Sequence, residues 1–140
     1  MELIEKIETD LKEILSEKRY NHSISVMNMA EELARVYGVD VVDAKIAGLL
    51  HDNAKEMSEE EMLKYAEKNN IEVTEFEMLN AKILHGKIGA DIARKKYGIS
   101  EQIAKAIEYH TTTNPEMDIL AKIIYISDKI ELTRKVEAFD

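Results

Sequence analysis

Apolar residues recur along this chain at helical spacing and nowhere alternate with polar ones over the length of a strand, and only five glycines and one proline interrupt them. Such a pattern buries one stripe of each helix and offers no period-two face to a sheet. The expected fold class is therefore all-α, a helical bundle. At 140 residues the chain has the usual size of one domain and can bury a core without covalent staples.

Individual helices follow from the apolar stripes and the residues that stop them. Leu3, Ile4, Ile7, Leu11, Ile14 and Leu15 form one face of an amphipathic helix within residues 1–17. A second helix is expected from about Asn21 to Tyr37, ending at Gly38, and a third after Asp40 as its cap. The third is apolar on nearly every side through Ala47-Gly48-Leu49-Leu50, which predicts a buried element. Ser58 with Glu61 and Thr74 with Glu77 have capping-box spacing. Further helices are expected over Lys87–Tyr97 and Ser100–Tyr109, and a last one from near Met117 through Ile119, Leu120, Ile123, Ile124, Ile126 and Ile130.

Composition removes several functional classes. No cysteine is present, so disulfides, thiolate metal sites and cysteine nucleophiles are excluded. A net charge of −9 argues against binding a nucleic-acid polymer, which needs a basic face, but leaves a small phosphorylated ligand open. The apolar runs are too short to span a bilayer, and the N-terminus lacks the features of a signal peptide. The expectation is a cytoplasmic protein with no membrane partner.

The four histidines, His22, His51, His85 and His110, fall at or beside the ends of apolar helices rather than on charged faces. Any one of them alone reads as a packed core residue. Asp52 and Asp128 change that reading, because both lie on strongly apolar stretches where an ionised carboxylate is costly unless it is paired or binds a metal. Each alone could be a salt bridge or a cap; together with the histidines they point to a shared cation. Imidazole and carboxylate suit iron, manganese, cobalt or zinc, and a carboxylate can bridge two such ions. Bound water then ionises near neutral pH, so no serine or cysteine nucleophile is required.

Five ordered stretches carry more than the bare His-Asp pair: Arg19-Tyr20-Asn21-His22-Ser23, Gly48 to Lys55 around His51-Asp52, His85-Gly86-Lys87-Ile88-Gly89-Ala90, Ala106 to Thr112 around His110, and Lys122 to Glu131 around Asp128. Their order resembles the HD superfamily of metal-dependent phosphohydrolases, and within it the symmetrical diadenosine tetraphosphate hydrolases. The resemblance runs over residues 18–134 of a single HD domain covering 1–140. It implies that His22, His51, Asp52 and Asp128 hold one metal, and that Asp52, His85 and His110 hold a second, with Asp52 as the bridge. One or two divalent ions are implied, iron first, with manganese or cobalt as substitutes. The implied catalytic residues are Asp52, His85, His110 and Lys55. Arg19, Lys55, Lys87, Thr111, Thr112 and Arg134 are the implied substrate contacts. The implied reaction is symmetrical hydrolysis of diadenosine tetraphosphate and related dinucleoside polyphosphates to two nucleoside diphosphates by a metal-activated hydroxide.

Two departures bear on these expectations. Thr113 stands where the family has glycine after His-Thr-Thr, and Leu132 stands where it has proline; the family's C-terminal helices are expected to be absent. Another HD phosphohydrolase, either a nucleotidase or a cyclic-nucleotide phosphodiesterase, would use the same ligands. So would a non-catalytic module that binds metal and nucleotide. A helical bundle with metal-free core histidines is the plainest alternative. A homodimer is compatible with all of these.

Overall fold

The structure, a computed structural model, describes the backbone of residues 2–112 and 114–139 and the side chains up to 131. Among these the architecture is helical, with no strand. In chain order the elements are α1 (Glu2–Ile14), α2 (Glu17–Tyr37), α3 (Val41–Leu50), α4 (Glu59–Lys68), α5 (Glu75–Leu79), a 3₁₀ turn (Ala81–Leu84), α6 (His85–Tyr97), α7 (Glu101–Glu108) and α8 (Ile119–Phe139).

Side-chain caps start most of these helices where the sequence predicts. Ser58 and Thr74 each close a full capping box, Ser100 accepts from the Ile103 amide, and Asp40 accepts from the Asp43 amide. Gly38 and Gly98 end α2 and α6 at φ of 71° and 60°, backbone values that favour glycine over any residue with a Cβ. Two starts differ from expectation: α6 begins at His85, not Lys87, and α2 begins at Glu17, not near Asn21, because the Ser16 hydroxyl accepts from the Arg19 amide and satisfies a free N–H of the first turn. The consequence for function is that His22 sits inside α2, and Arg19 lies one turn before it on the same helix.

Helix α3 is the axis of the fold. Ala44, Ile46, Ala47, Leu49 and Leu50 are buried in the main core with Ile4, Ile7 and Leu11 of α1, Met27 and Ala30 of α2, Ile107 of α7, and Leu120 and Ile124 of α8. A smaller cluster of Ala54, Met62, Ala81, Leu84 and Ile88 packs α4, the 3₁₀ turn and α6 together. Gly48 permits a close approach of α3 to α2: a Cβ there would lie 3.0 Å from Met27 Cα. With its apolar sides enclosed, α3 delivers the next residues, His51 and Asp52, into the interior, where His51 is completely buried.

Candidate metal centre

Five elements bring one side chain or pair each to a common centre. His22 comes from α2, His51 and Asp52 from the end of α3, His85 from the first residue of α6, His110 from the turn after α7, and Asp128 from α8. The four histidines and Asp52 are buried, and Asp128 is partly so.

The two Asp52 oxygens face different groups. Oδ2 lies 3.3 Å from His51 Nε2 and 3.7 Å from His22 Nε2, and Asp128 Oδ1 completes that group at 2.8 Å from His22 Nε2 and 3.5 Å from His51 Nε2. Oδ1 lies 3.3 Å from His85 Nε2 and 3.2 Å from His110 Nε2, and those two nitrogens are 3.0 Å apart. Donors about 2.1 Å from one metal are roughly 3.0–3.4 Å from each other when they subtend octahedral or tetrahedral angles. The separations among Asp52, His85 and His110 fall in that range, and those of the other group, 2.8–3.7 Å, bracket it.

The ring orientations are those that metal coordination would use. Nδ1 of His51, His85 and His110 lies 2.7, 2.7 and 2.6 Å from the carbonyls of Gly48, Lys82 and Ile107 respectively, each three residues earlier. A carbonyl only accepts, so Nδ1 carries a proton and Nε2 points into the site, where it can offer a lone pair to a cation in place of a second proton. Carbonyl anchoring of the distal nitrogen is the usual support for a metal-ligating histidine. His85 Nε2, His110 Nε2 and Asp52 Oδ1 are then three acceptors facing one another, an arrangement that is repulsive without a positive charge between them. His51 Nε2 is likewise buried with no hydrogen-bond partner.

Electrostatics agree with this arrangement. Burial disfavours the charged form of His51, but the Asp52 and Asp128 carboxylates outweigh it and raise its pKa to about 10. Burial pushes Asp52 and Asp128 up, yet the surrounding imidazoles hold both well below the usual carboxylate range. Burial also lowers His110, against the pull of Asp52. Both aspartates are thus ionised, as metal ligands must be, and together they draw positive charge to His51.

Above the cluster opens a cavity of about 370 Å³. Of the substrate contacts implied by the resemblance, Arg19, Lys55 and Thr111 line it, and Arg19 Nη1 donates to Asp52 Oδ2 at 3.3 Å. Thr112 is not among the lining residues. Lys87 is also elsewhere: its ammonium donates to Glu77 Oε1 at 2.9 Å and to the Glu72 carbonyl at 3.1 Å, which ties α6 to α5. A buried carboxylate on α5 thus claims its charge, and the cavity lining gives its expected substrate role no support. Arg134 and Thr113 lie outside the described side chains.

Sequence reasoning passed over several residues that build the site. Lys82 and Lys129 line the cavity. Lys82 stands three residues before His85, the same offset as Arg19 before His22, so spacing alone carried a signal for it. Asn53 donates to the carbonyls of Leu50 and Gly89, at 2.8 and 3.0 Å, and fastens the end of α3 to α6. Gly86 lets the start of α6 approach the end of α7, where a Cβ would meet the Glu108 carbonyl oxygen at 2.7 Å.

A helical frame that aims ionised carboxylates and lone-pair nitrogens at one buried point, open to solvent through a cationic cavity, is the framework of a metal-dependent hydrolase. The HD domain family matches residues 19–133, and the chain belongs to that family. It is 37% identical over 131 residues to the symmetrical bis(5'-nucleosyl)-tetraphosphatase of Bacillus subtilis, covering 93% of this chain and 70% of that protein. The Staphylococcus aureus protein of the same description is 38% identical over 144 residues, covering 98% of this chain and 71% of that one. A crystal structure from Clostridium acetobutylicum, described as a predicted HD superfamily hydrolase involved in NAD metabolism, superposes with a TM-score of 0.87 at 43% identity, covering 91% of this chain and 68% of that chain.

Proposed function

We propose that the protein hydrolyses diadenosine tetraphosphate, and related dinucleoside polyphosphates, symmetrically to two nucleoside diphosphates. The observation that carries this is the division of Asp52 between two ligand groups directly beneath a cation-lined cavity. His22, His51, Asp52 and Asp128 are suited to hold one divalent ion, and Asp52, His85 and His110 a second. Iron is the first choice for both, with manganese or cobalt as substitutes. Ions so held lower the pKa of coordinated water toward neutrality and offset negative charge on phosphoryl oxygens.

The chain's own residues supply the rest. The backbone carbonyls of Gly48, Lys82 and Ile107 fix three imidazoles in the tautomer and orientation that coordination requires. Asp52 stays ionised and spaces the two groups through its two oxygens. Arg19, Lys55 and Thr111 face the same cavity and orient the phosphate chain, with a guanidinium or ammonium against non-bridging oxygens and the hydroxyl as a further donor. Water adds to one central phosphorus, the anhydride bond between the second and third phosphates breaks, and the departing phosphate leaves as the terminal group of the second diphosphate. Cytoplasmic residence belongs to the same proposal.

The test is chromatography of the products from diadenosine tetraphosphate with iron, manganese and cobalt in turn. ADP as sole product supports the reading. ATP with AMP, or inorganic phosphate, assigns a different reaction to the site. Binding of metal and nucleotide without turnover under any of the three metals makes the protein a non-catalytic module.

A further inference from the structure

We infer that Asn53 is a positioning residue: its side-chain amide ties the end of α3 to α6 and so sets where Asp52 stands against His85 in the second ligand group. The inference rests on the functional reading above and deepens it. Asn53 follows Asp52 directly and is nearly buried, with 9% of its surface exposed. Both N–H bonds of Nδ2 are used, one to the Leu50 carbonyl at 2.8 Å and one to the Gly89 carbonyl at 3.0 Å. Leu50 is the last residue of α3, and Gly89 lies one turn into the helix that His85 begins. The amide thus spans the two elements that carry Asp52 and His85, whose Oδ1 and Nε2 are 3.3 Å apart.

Asp52 needs such a tie because α3 ends before it. Backbone bonds in the following stretch run from Asn53 N–H to the Leu50 carbonyl at 3.1 Å, from Lys55 to Asp52 at 2.9 Å, and from Met57 to Ala54 at 3.2 Å. These three-residue bonds are those of successive tight turns, not the four-residue ladder that holds an α-helix straight. The far end of the stretch is pinned by Lys82 on the Met57 carbonyl and by the Ser16 amide on Glu56 Oε1. Arg19 meets Asp52 Oδ2 on the side of the first group, and Asn53 fixes the backbone on the side of the second. Neither carbonyl depends on Nδ2 for a partner: Leu50 also accepts from the Asn53 backbone amide, and Gly89 lies inside the ladder of α6. Meanwhile Asn53 Oδ1 is buried with no hydrogen-bond partner among the described residues, which disfavours folding. An apolar side chain of the same size would avoid that penalty, so stability alone does not account for an amide here. Gly89 is fitted to it as well, since a Cβ there would lie 3.1 Å from Nδ2.

The test compares Asn53→Leu and Asn53→Ala with the unaltered protein. Leucine keeps the shape of the side chain and removes its N–H donors. Ile7→Val, a buried truncation on α1, a helix with no ligand residue, controls for a general loss of stability. Calorimetric titration with manganese, after chelator treatment, reads the two ligand groups as two phases. Both Asn53 variants are expected to weaken the phase of Asp52, His85 and His110 by roughly tenfold or more, the usual effect of removing a group that orients metal ligands. The other phase, which keeps His22, His51 and Asp128, should move far less. Cobalt bound to the weakened group should show a changed visible absorption, because its ligand geometry has changed. Without metal, hydrogen exchange of the Asn53 variants should be faster over residues 51–57 and unaltered in α1. The Tm of Asn53→Leu should equal or exceed that of Ile7→Val; a value well below it would assign the loss to unfolding and overturn the inference. If Asn53→Leu keeps both phases undiminished, or if Ile7→Val weakens the same phase equally, the amide is packing alone and the inference fails while the hydrolase reading stands. If the unaltered protein binds neither manganese nor cobalt, the functional reading fails and takes the inference with it.

Discussion

Replacing Gly86 with alanine tests whether the second ligand group depends on a backbone contact far smaller than a side chain. A Cβ at Gly86 would lie 2.7 Å from the Glu108 carbonyl oxygen and 2.7 Å from Thr111 Oγ1. Carbon–oxygen contacts of this type settle at about 3.3–3.6 Å, so the start of α6 and the end of α7 must separate by roughly 0.6 Å or more. Thr111 can turn its side chain aside. The Glu108 carbonyl cannot, because it belongs to the last residue of α7, two before His110. The His85–His110 Nε2 separation, now 3.0 Å, should open by a similar amount. Metal–ligand distances tolerate only about 0.2 Å of error, so the group formed by Asp52, His85 and His110 should lose at least about tenfold in metal affinity. His22, His51 and Asp128 lie on other elements and should keep theirs. Overpacking costs about 1–3 kcal/mol, against a helix-propensity gain of at most about 1 kcal/mol for alanine over glycine. Stability should therefore fall slightly while one of two metal-binding phases disappears. Calorimetric titration with manganese beside elemental analysis reads both. A variant with two undiminished phases would refute the argument that close helix approach positions His85 against His110.

Asp52→Ala should lose activity and most bound metal together, since one carboxylate serves both groups, whereas His85→Ala or His110→Ala should lose activity yet retain the metal held by the other group; elemental analysis after gel filtration separates these. Lys87→Gln should leave KM unchanged and lower stability by about 0.5–1 kcal/mol, the worth of its ion pair with Glu77, as read by urea unfolding. Burial raises Glu77, but its bonds to Thr74 and Lys87 outweigh that and leave its folded pKa below 4.5. Its contribution is then complete above about pH 4.5 and lost as pH falls through the lower folded value, and Lys87→Gln should flatten that acid-side slope. Gly48→Ala puts a methyl 3.0 Å from the α2 backbone and should lower Tm despite better helix propensity; a raised Tm would show that α2 and α3 have slack.

Much of the frame was legible because its signals are local. A Ser, Thr or Asp cap three residues from its amide, and a glycine just past a helix end, act through neighbours in the chain, so Ser58, Thr74, Ser100, Gly38 and Gly98 mark their elements correctly. The Ser16 cap is the same kind of signal, and it starts α2 at Glu17, four residues before the Asn21 expected from the apolar stripe. The six candidate ligand side chains stand out for another reason: histidines and aspartates on apolar stretches are too costly to leave without partners.

Tertiary structure decided whatever depends on distances between elements. The identities of Asp52, His85 and His110 do not say that one Asp52 oxygen faces each ligand group; that follows from how α3, α6 and α7 converge. Lys82 and Lys87 look alike in sequence, one three residues before His85 and one two residues after. Their fates differ because α5 brings a buried carboxylate to Lys87, while Lys82 donates to the Met57 carbonyl beside the cavity. A lysine ammonium goes to the strongest acceptor within reach, and which acceptor is in reach is a property of packing that no local pattern encodes.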